Sequence, residues 1–445
     1  MTDEAQHGMT RREFVVSGGV GLAGLAIGGL AGYGLSGKDS GTGGSSAGAA
    51  AGKPLNIAAA YPLTGPYAGD GAQMQMGLEM GIAEINAAGG VLGRQLKATF
   101  QDLEDLSTDK VVNAVQRALS GNPAALFMGY TTATSSEYPA IAQAGIPAFH
   151  NNTLQASADW VAKDLATRGS IFQTCPSEIP YGPGFANLVV SLEDSKKWTP
   201  SSKTAAIVTS LDVYSLNIAN QFKQSIEKNG YKVTLFEKVN APLSEWGPIL
   251  TKIRRDPPGI IFFADYIVGD LASFTKQFRS SPTPSLLYEQ YGPSVPEYLK
   301  LTGDAANGVI WSTVIGILPD AIGAKYKEDF QTRFNQKPGL SLAGAQRDNA
   351  LIWWSAAARA GNPTDYAKVV SMVKAFQYRG VCGSYNFSPK DLTAISYPGS
   401  GDPTVYTDDP SLGLPNLTFQ IQGQQQVLIF PDPYVQGSFQ LPPWF

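Results

Sequence analysis

The densest run of hydrogen-bonding side chains is Gly129-Tyr130-Thr131-Thr132-Ala133-Thr134-Ser135-Ser136, with five Ser and Thr hydroxyls between a short apolar run and a helical stretch. A helix N-terminus offers free N–H groups and a partial positive charge, and hydroxyls add donors. Such a loop can hold a carboxylate or an amide oxygen without a formal cation. Helix capping accounts for one or two of these hydroxyls, not for all of them. Thr131, Thr132, Thr134 and Ser135 are therefore candidate ligand-binding residues. His150-Asn151-Asn152-Thr153 follows the next apolar run. Asn both donates and accepts, so Asn151, Asn152 and Thr153 suit an amide or zwitterionic ligand, an Asx-turn or cap being their alternative use. Farther along stand Tyr214, Asp265-Tyr266 and Glu289-Gln290-Tyr291. An acidic group at Asp265 or Glu289 can pair with a ligand ammonium, and the rings of Tyr214, Tyr266 and Tyr291 can cover an apolar tail. Asp265 can equally cap the helix after it.

Other chemistries are poorly served. The chain holds 2 His (His7, His150) and 2 Cys (Cys175, Cys382). Zinc, haem and iron–sulfur centres need more nitrogen and sulfur ligands than that, so no metal or cofactor is expected. His150 has no Ser or Cys nucleophile in a convincing sequence context and reads as a wall or cap residue, not a general base. No catalytic residue is assigned. The two Cys lie far apart in sequence, and one disulfide is arithmetically possible. Lys+Arg 33 against Asp+Glu 37 gives a net charge of -4 with no basic run, which excludes a nucleic-acid footprint.

These loops need a frame. In 445 residues that are 43% hydrophobic and only 16% charged there is room for two lobes of ordinary size. From Leu55 onward, apolar runs alternate with helical periodicity. Strands are expected at Leu55–Tyr61, Leu96–Gln101, Ala125–Met128 and Ile146–Phe149, with helices at Gly71–Ala88, Thr108–Leu119 and Ser135–Ala144 between them. After a less regular stretch near Trp160 the alternation restarts. Its strands are Ala205–Thr209, Val233–Lys238, Ile260–Phe263, Ser285–Tyr288 and Val309–Thr313. Its helices are Tyr214–Asn229, Trp246–Arg254 and Leu271–Arg279. Three helical stretches follow, at Ala321–Asn335, Ala343–Ala360 and Asp365–Tyr378, and then a strand at Gln426–Phe430. Strands alternating with helices make parallel β-α-β units. Ligands of such sheets sit beyond the carboxyl ends of the strands. That rule selects the loops at 62–71, 129–136, 150–153, 210–214, 264–269 and 289–292.

The N-terminus is an address. Thr10-Arg11-Arg12-Glu13-Phe14-Val15 precedes a Gly-interrupted apolar stretch to Leu35, the layout of an export signal. It resembles the twin-arginine signal. The run is near the length of a transmembrane anchor but is too rich in Gly and Ala to make a good one. Gly37–Lys53 reads as a flexible tether. Two motif matches, Gly32 to Gly37 for a dinucleotide fingerprint and Gly44 to Gly48 for a nucleophile elbow, lack the strand–turn–helix setting and carry no weight.

The chain resembles the substrate-binding proteins of the branched-chain amino-acid and amide type that serve ABC transporters. The residues that carry the resemblance are Leu63-Thr64-Gly65-Pro66-Tyr67-Ala68, Glu84-Ile85-Asn86-Ala87-Ala88-Gly89-Gly90-Val91-Leu92-Gly93-Arg94, Gln101-Asp102, Gly145-Ile146-Pro147, Gly303 to Gly308 and Leu441-Pro442-Pro443-Trp444-Phe445. Nearly all of 54–445 is covered in order. The resemblance implies an α/β fold of two Rossmann-like lobes with mainly parallel sheets, joined by a multi-crossing hinge: the type I periplasmic binding protein. It divides the chain into an export signal at 1–36, a linker at 37–53, one lobe at 54–172 plus about 314–380, and another at 173–313 plus about 381–445. It also implies that Thr131–Ser135 and Asn151–Thr153 bind a carboxylate or amide end. The family often has Ser where Ala133 stands, so hydroxyl duty shifts to Thr132, Thr134 or Ser135. Amino-acid binders place an acidic residue near Glu289–Tyr291. Asn151-Asn152 departs from a smaller, less polar segment and weakens the case for a leucine-like ligand. Amino acids, amides, urea and aromatic acids are the implied ligands, an ABC permease the implied partner, and the periplasm or another extracytoplasmic space the implied location. A ligand sensor acting on a partner protein and an exported hydrolase are the rival readings.

Overall fold

The computed structural model describes residues 52–131, 135–399 and 403–445. The export motif at Thr10–Val15, nearly all of the tether, and the site candidates Thr132 and Thr134 lie outside them.

Two sheets carry the fold. The first has five parallel strands in the order β2-β1-β3-β4-β5, built from β1 (Leu55–Tyr61), β2 (Leu96–Asp102), β3 (Leu126–Met128), β4 (Ala148–His150) and β5 (Ile171–Gln173). The second contains β6 (Thr204–Ser210), β7 (Lys232–Val239), β8 (Ile260–Ala264), β9 (Leu286–Glu289) and β10 (Ile310–Thr313), mutually parallel. Two antiparallel strands, Leu417–Gln422 and Gln425–Phe430, extend it beyond β10. The central strands are apolar throughout because helices cover both faces: every residue of Ile57–Tyr61 and of Ile260–Ala264 is buried.

The chain passes from the first sheet to the second after β5, and back after β10. Helix Leu342–Ala360 returns to the first sheet, where Trp353 meets the ring of Phe127 edge-on. It lies against helix Ala68–Ala87. The approach is close enough that a Cβ on Gly77 would stand 2.0 Å from the carbonyl oxygen of Ala343. The side chain of Arg347 grips Glu84 across this contact through Nε (2.9 Å) and Nη2 (2.6 Å). Its neighbour Asp348 accepts from the amides of Val381 and Cys382 and from the hydroxyl of Tyr385. Val381, Cys382, Tyr385, Leu392 and Ala394 pack into the core of the first sheet. The last crossing then delivers the two antiparallel strands to the second sheet.

The expected elements occur, and helix Pro296–Thr302 is added between two of the expected strands. Around Trp160 the sequence shows no clear period, yet the chain forms helix Gln155–Ala162, strand β5 and helix Tyr181–Asp194. The helix expected from Ser135 begins at Tyr138, since Ser135 sits at φ +51, outside the right-handed helical region. The possible disulfide is not formed: Cys175 and Cys382 are both buried free thiols. Among the described residues no helix is long and apolar enough to cross a membrane.

Candidate functional site

A cavity of about 220 Å³ lies where the carboxyl ends of the two sheets face each other. Loops after β1, β2, β3 and β4 wall one side. Those after β6, β8 and β9 wall the other. Of the residues singled out in sequence, Thr131, Asn151, Asn152, Thr153, Tyr214, Tyr266 and Tyr291 line it. Three do not. Ser135 is buried behind the wall, with Oγ 3.3 Å from Oγ of Ser157. Asp265 turns back on its own chain and accepts from the amides of Tyr266 (2.6 Å) and Ile267 (3.0 Å), so it sets the loop that presents Tyr266. Glu289 is spent on the packing of its own lobe. Its Oε1 accepts from the Thr275 hydroxyl, which also lies 2.9 Å from the Tyr298 hydroxyl, and burial pushes the carboxyl up to about 8.

The two asparagines divide their duties. Asn151 is fully engaged: Oδ1 accepts from Gln346 (2.7 Å) and Asn349 (3.2 Å), while Nδ2 donates to the carbonyl and hydroxyl oxygens of Thr174. Gln346 in turn donates to the Met128 carbonyl and accepts from the Tyr61 hydroxyl. Asn151 thus ties the ends of β1, β3 and β5 to helix Leu342–Ala360. Asn152 donates from Nδ2 to Ser157 (3.1 Å), and its backbone amide donates to Nδ1 of His150. That bond leaves the proton of neutral His150 on Nε2, toward the Tyr138 hydroxyl 3.3 Å away. Burial lowers His150 to about 3, so the ring is an uncharged spacer under Asn152 and does not border the cavity. Thr131 donates its hydroxyl to Glu137, whose carboxyl burial raises.

Sequence reasoning missed half of the aromatic wall. Tyr67, Tyr130 and Tyr181 join Tyr214, Tyr266 and Tyr291 around the cavity, and Asp105 and Asp212 border it. Tyr67 and Asp212 fall in the loops at 62–71 and 210–214 that the strand-end rule selects, so position alone pointed to them. Tyr181 opens the helix that was not foreseen. The walls touch across the cleft. Tyr67 stacks on Tyr266, Tyr130 meets Tyr266 edge-on at 5.8 Å, and the Tyr291 hydroxyl donates to Asp70 at 2.9 Å. Burial raises Asp70 to about 6. Tyr291 is itself strained: at φ +59 and ψ -51 it is the central residue of a γ-turn closed by the Gly292 amide on the Gln290 carbonyl. A gap between two parallel sheets at their carboxyl ends, bordered by both, is the geometry of a clamp around a small solute.

The periplasmic binding protein model matches residues 54–397. The chain belongs to that family. A Silicibacter pomeroyi protein, assigned provisionally to branched-chain amino acid ABC transport, superposes with a TM-score of 0.78 at 35% identity, covering 88% of this chain and 100% of that one. The leucine-, isoleucine-, valine-, threonine-, and alanine-binding protein of Pseudomonas aeruginosa is 22% identical over 372 residues, 83% of this chain and 91% of its own length. A solute-binding protein of an ABC transporter from R. palustris, solved with benzoate, shares the fold at a TM-score of 0.66 and 16% identity, over 86% of this chain and 99% of that one. The resemblance read from the motifs and the α/β fold with mainly parallel sheets are both borne out.

Proposed function

We propose that this periplasmic binding protein is an extracytoplasmic receptor that captures a compact amino acid, amide or related carboxylate and delivers it to the permease of an ABC importer. The observation that carries the reading is the cavity itself, bordered at the ends of two sheets by tyrosines from both sides. In this reading Thr131, Asn152 and Thr153, together with Thr132 and Thr134, receive the polar end, and the tyrosines cover the body. Asn151 holds the site's shape. The lobe that holds the first sheet is residues 54–172 with about 314–380, to which the packing of 381–394 adds a further segment. The remainder forms the lobe of the second sheet. Ligand stabilises the closed arrangement by binding it better than the open one. Binding proceeds without turnover, since His150 is buried, uncharged and turned from the cavity. Export would use the twin-arginine motif at Thr10–Val15.

A cavity of about 220 Å³ is below the roughly 300–1,000 Å³ typical of drug-sized ligands, which favours a solute of amino-acid size. A thermal-shift screen of amino acids, short amides, urea and aromatic acids tests the reading. A ligand present at 100 times its Kd should stabilise the protein by about 2.7 kcal/mol. Steady release of product from any of these solutes would overturn the receptor reading in favour of a hydrolase.

A further inference from the structure

Tyr67, Tyr130 and Tyr266 border two cavities: the one described above and a second of about 390 Å³. Their charges share one sign. Among the described residues lining either cavity there is no Lys, Arg or His, while Asp105 and Asp212 border the first and Asp70, Asp270 and Glu297 the second. The sequence between Thr131 and Ser135 adds only Thr, Ala and Thr. The faces of tyrosine rings carry the negative end of their quadrupole, so they add to the same potential. A simple anion entering either cavity meets no countercharge and several like charges. A cation meets both ring faces and carboxylates.

Asp212 is the carboxylate built for the purpose. It caps helix Val213–Lys228, with Oδ1 accepting from the Ser215 amide at 2.9 Å and Oδ2 from the Ser210 hydroxyl at 2.6 Å. Two donors fix its orientation, and each oxygen keeps a further acceptor site. It borders the first cavity beside Tyr214, whose hydroxyl accepts from Gln290 at 3.0 Å. Tyr214 and Tyr266 stand perpendicular there, with centroids 5.6 Å apart. Asp265 and Glu289 do not line the cavity, although Oδ2 of the one and Oε2 of the other are buried without a partner.

We propose that the ligand carries a cationic nitrogen, an ammonium or a quaternary ammonium, seated at the wall formed by Tyr214 and Tyr266 with Asp212 as its countercharge. This rests on the receptor reading and narrows its ligand: an amine-bearing solute is taken, and an acid without nitrogen is refused.

Two probe series separate the charge from the body: isoamylamine, leucine and isovalerate, and benzylamine, benzamide and benzoate, each titrated calorimetrically into the full chain. The amine-bearing members should bind at least about tenfold tighter than the acid of the same series. Asp212→Asn should weaken their binding about 10–100-fold while leaving benzamide nearly unchanged. Asn caps a helix as well as Asp does, so an unchanged melting temperature of the unliganded variant verifies the fold. Acids binding more tightly than amines, or amine binding that ignores Asp212→Asn, would overturn the charge preference while the receptor reading stands. Failure of every probe to bind the folded protein would remove both.

Discussion

Tyr67 and Tyr266 stack across the cleft, their ring centroids 5.7 Å apart and their planes inclined by 15°. One ring comes from the start of a helix on the first sheet, the other from the loop after β8. In the proposed clamp this pair would stabilise the closed form and would part before ligand leaves. Replacing Tyr266 by Ala should speed dissociation about tenfold with a smaller change in association rate, since affinity differences within one site lie mostly in dissociation. Stopped-flow measurement with a bound solute tests this. An unaltered off-rate would deny the stack its gating role.

Asn151 borders the cavity but spends its side chain on four internal hydrogen bonds to three residues. Asn151→Ala should therefore lower stability by about 2–4 kcal/mol, because it orphans buried groups on Gln346, Asn349 and Thr174 at once. Urea unfolding of the unliganded protein is the measurement. A variant as stable as the wild type, with only affinity reduced, would make Asn151 a ligand contact instead.

The stability contributed by Glu289 depends on pH. Folding raises the Glu289 carboxyl from 4.5 to about 8 by removing it from water. Between those values the folded state binds the proton and the unfolded state does not. Stability from this group is fully present below pH 4.5 and is lost as pH rises through 8. Melting temperature should fall across that window in the wild type and fall less in Glu289→Gln, which keeps the shape without the titration. Parallel pH profiles for the two proteins would contradict the assignment.

Helix Ala68–Ala87 reaches helix Leu342–Ala360 through Gly77, where a Cβ would lie 2.0 Å from backbone and not from a movable side chain. Gly77→Val should cost at least about 1–3 kcal/mol, the range for forced overpacking. Thermal unfolding of the variant gives the answer, and a melting point at the wild-type value would mean the helices can separate freely.

The frame was legible because a strand covered on both faces must be apolar along its whole length. Ile57–Tyr61 and Ile260–Ala264 announce themselves in that way, and the helices between strands announce themselves by period. Helices Gln155–Ala162 and Tyr181–Asp194 escaped notice because the sequence around Trp160 shows no clear period. The site loops were legible too, since the strand-end rule picks them by position. Which side chains within them face the gap was not. Asp265 and Asp212 follow neighbouring strands and look equivalent in sequence, yet one folds onto the amides of Tyr266 and Ile267 while the other caps a helix at the cavity edge.

By itself, then, the sequence determined the alternation of strands and helices, the family and the loops that border the cleft, because each depends on residues near one another in the chain. Tertiary structure decided the rest. Asn151 became a strut because Gln346, 195 residues away, comes within 2.7 Å of it. Tyr67 became half of a stacked pair because Tyr266 arrives from the other sheet. A side chain's duty is set by whatever fills its hydrogen-bonding and packing capacity. Here those partners arrive from the far end of the chain.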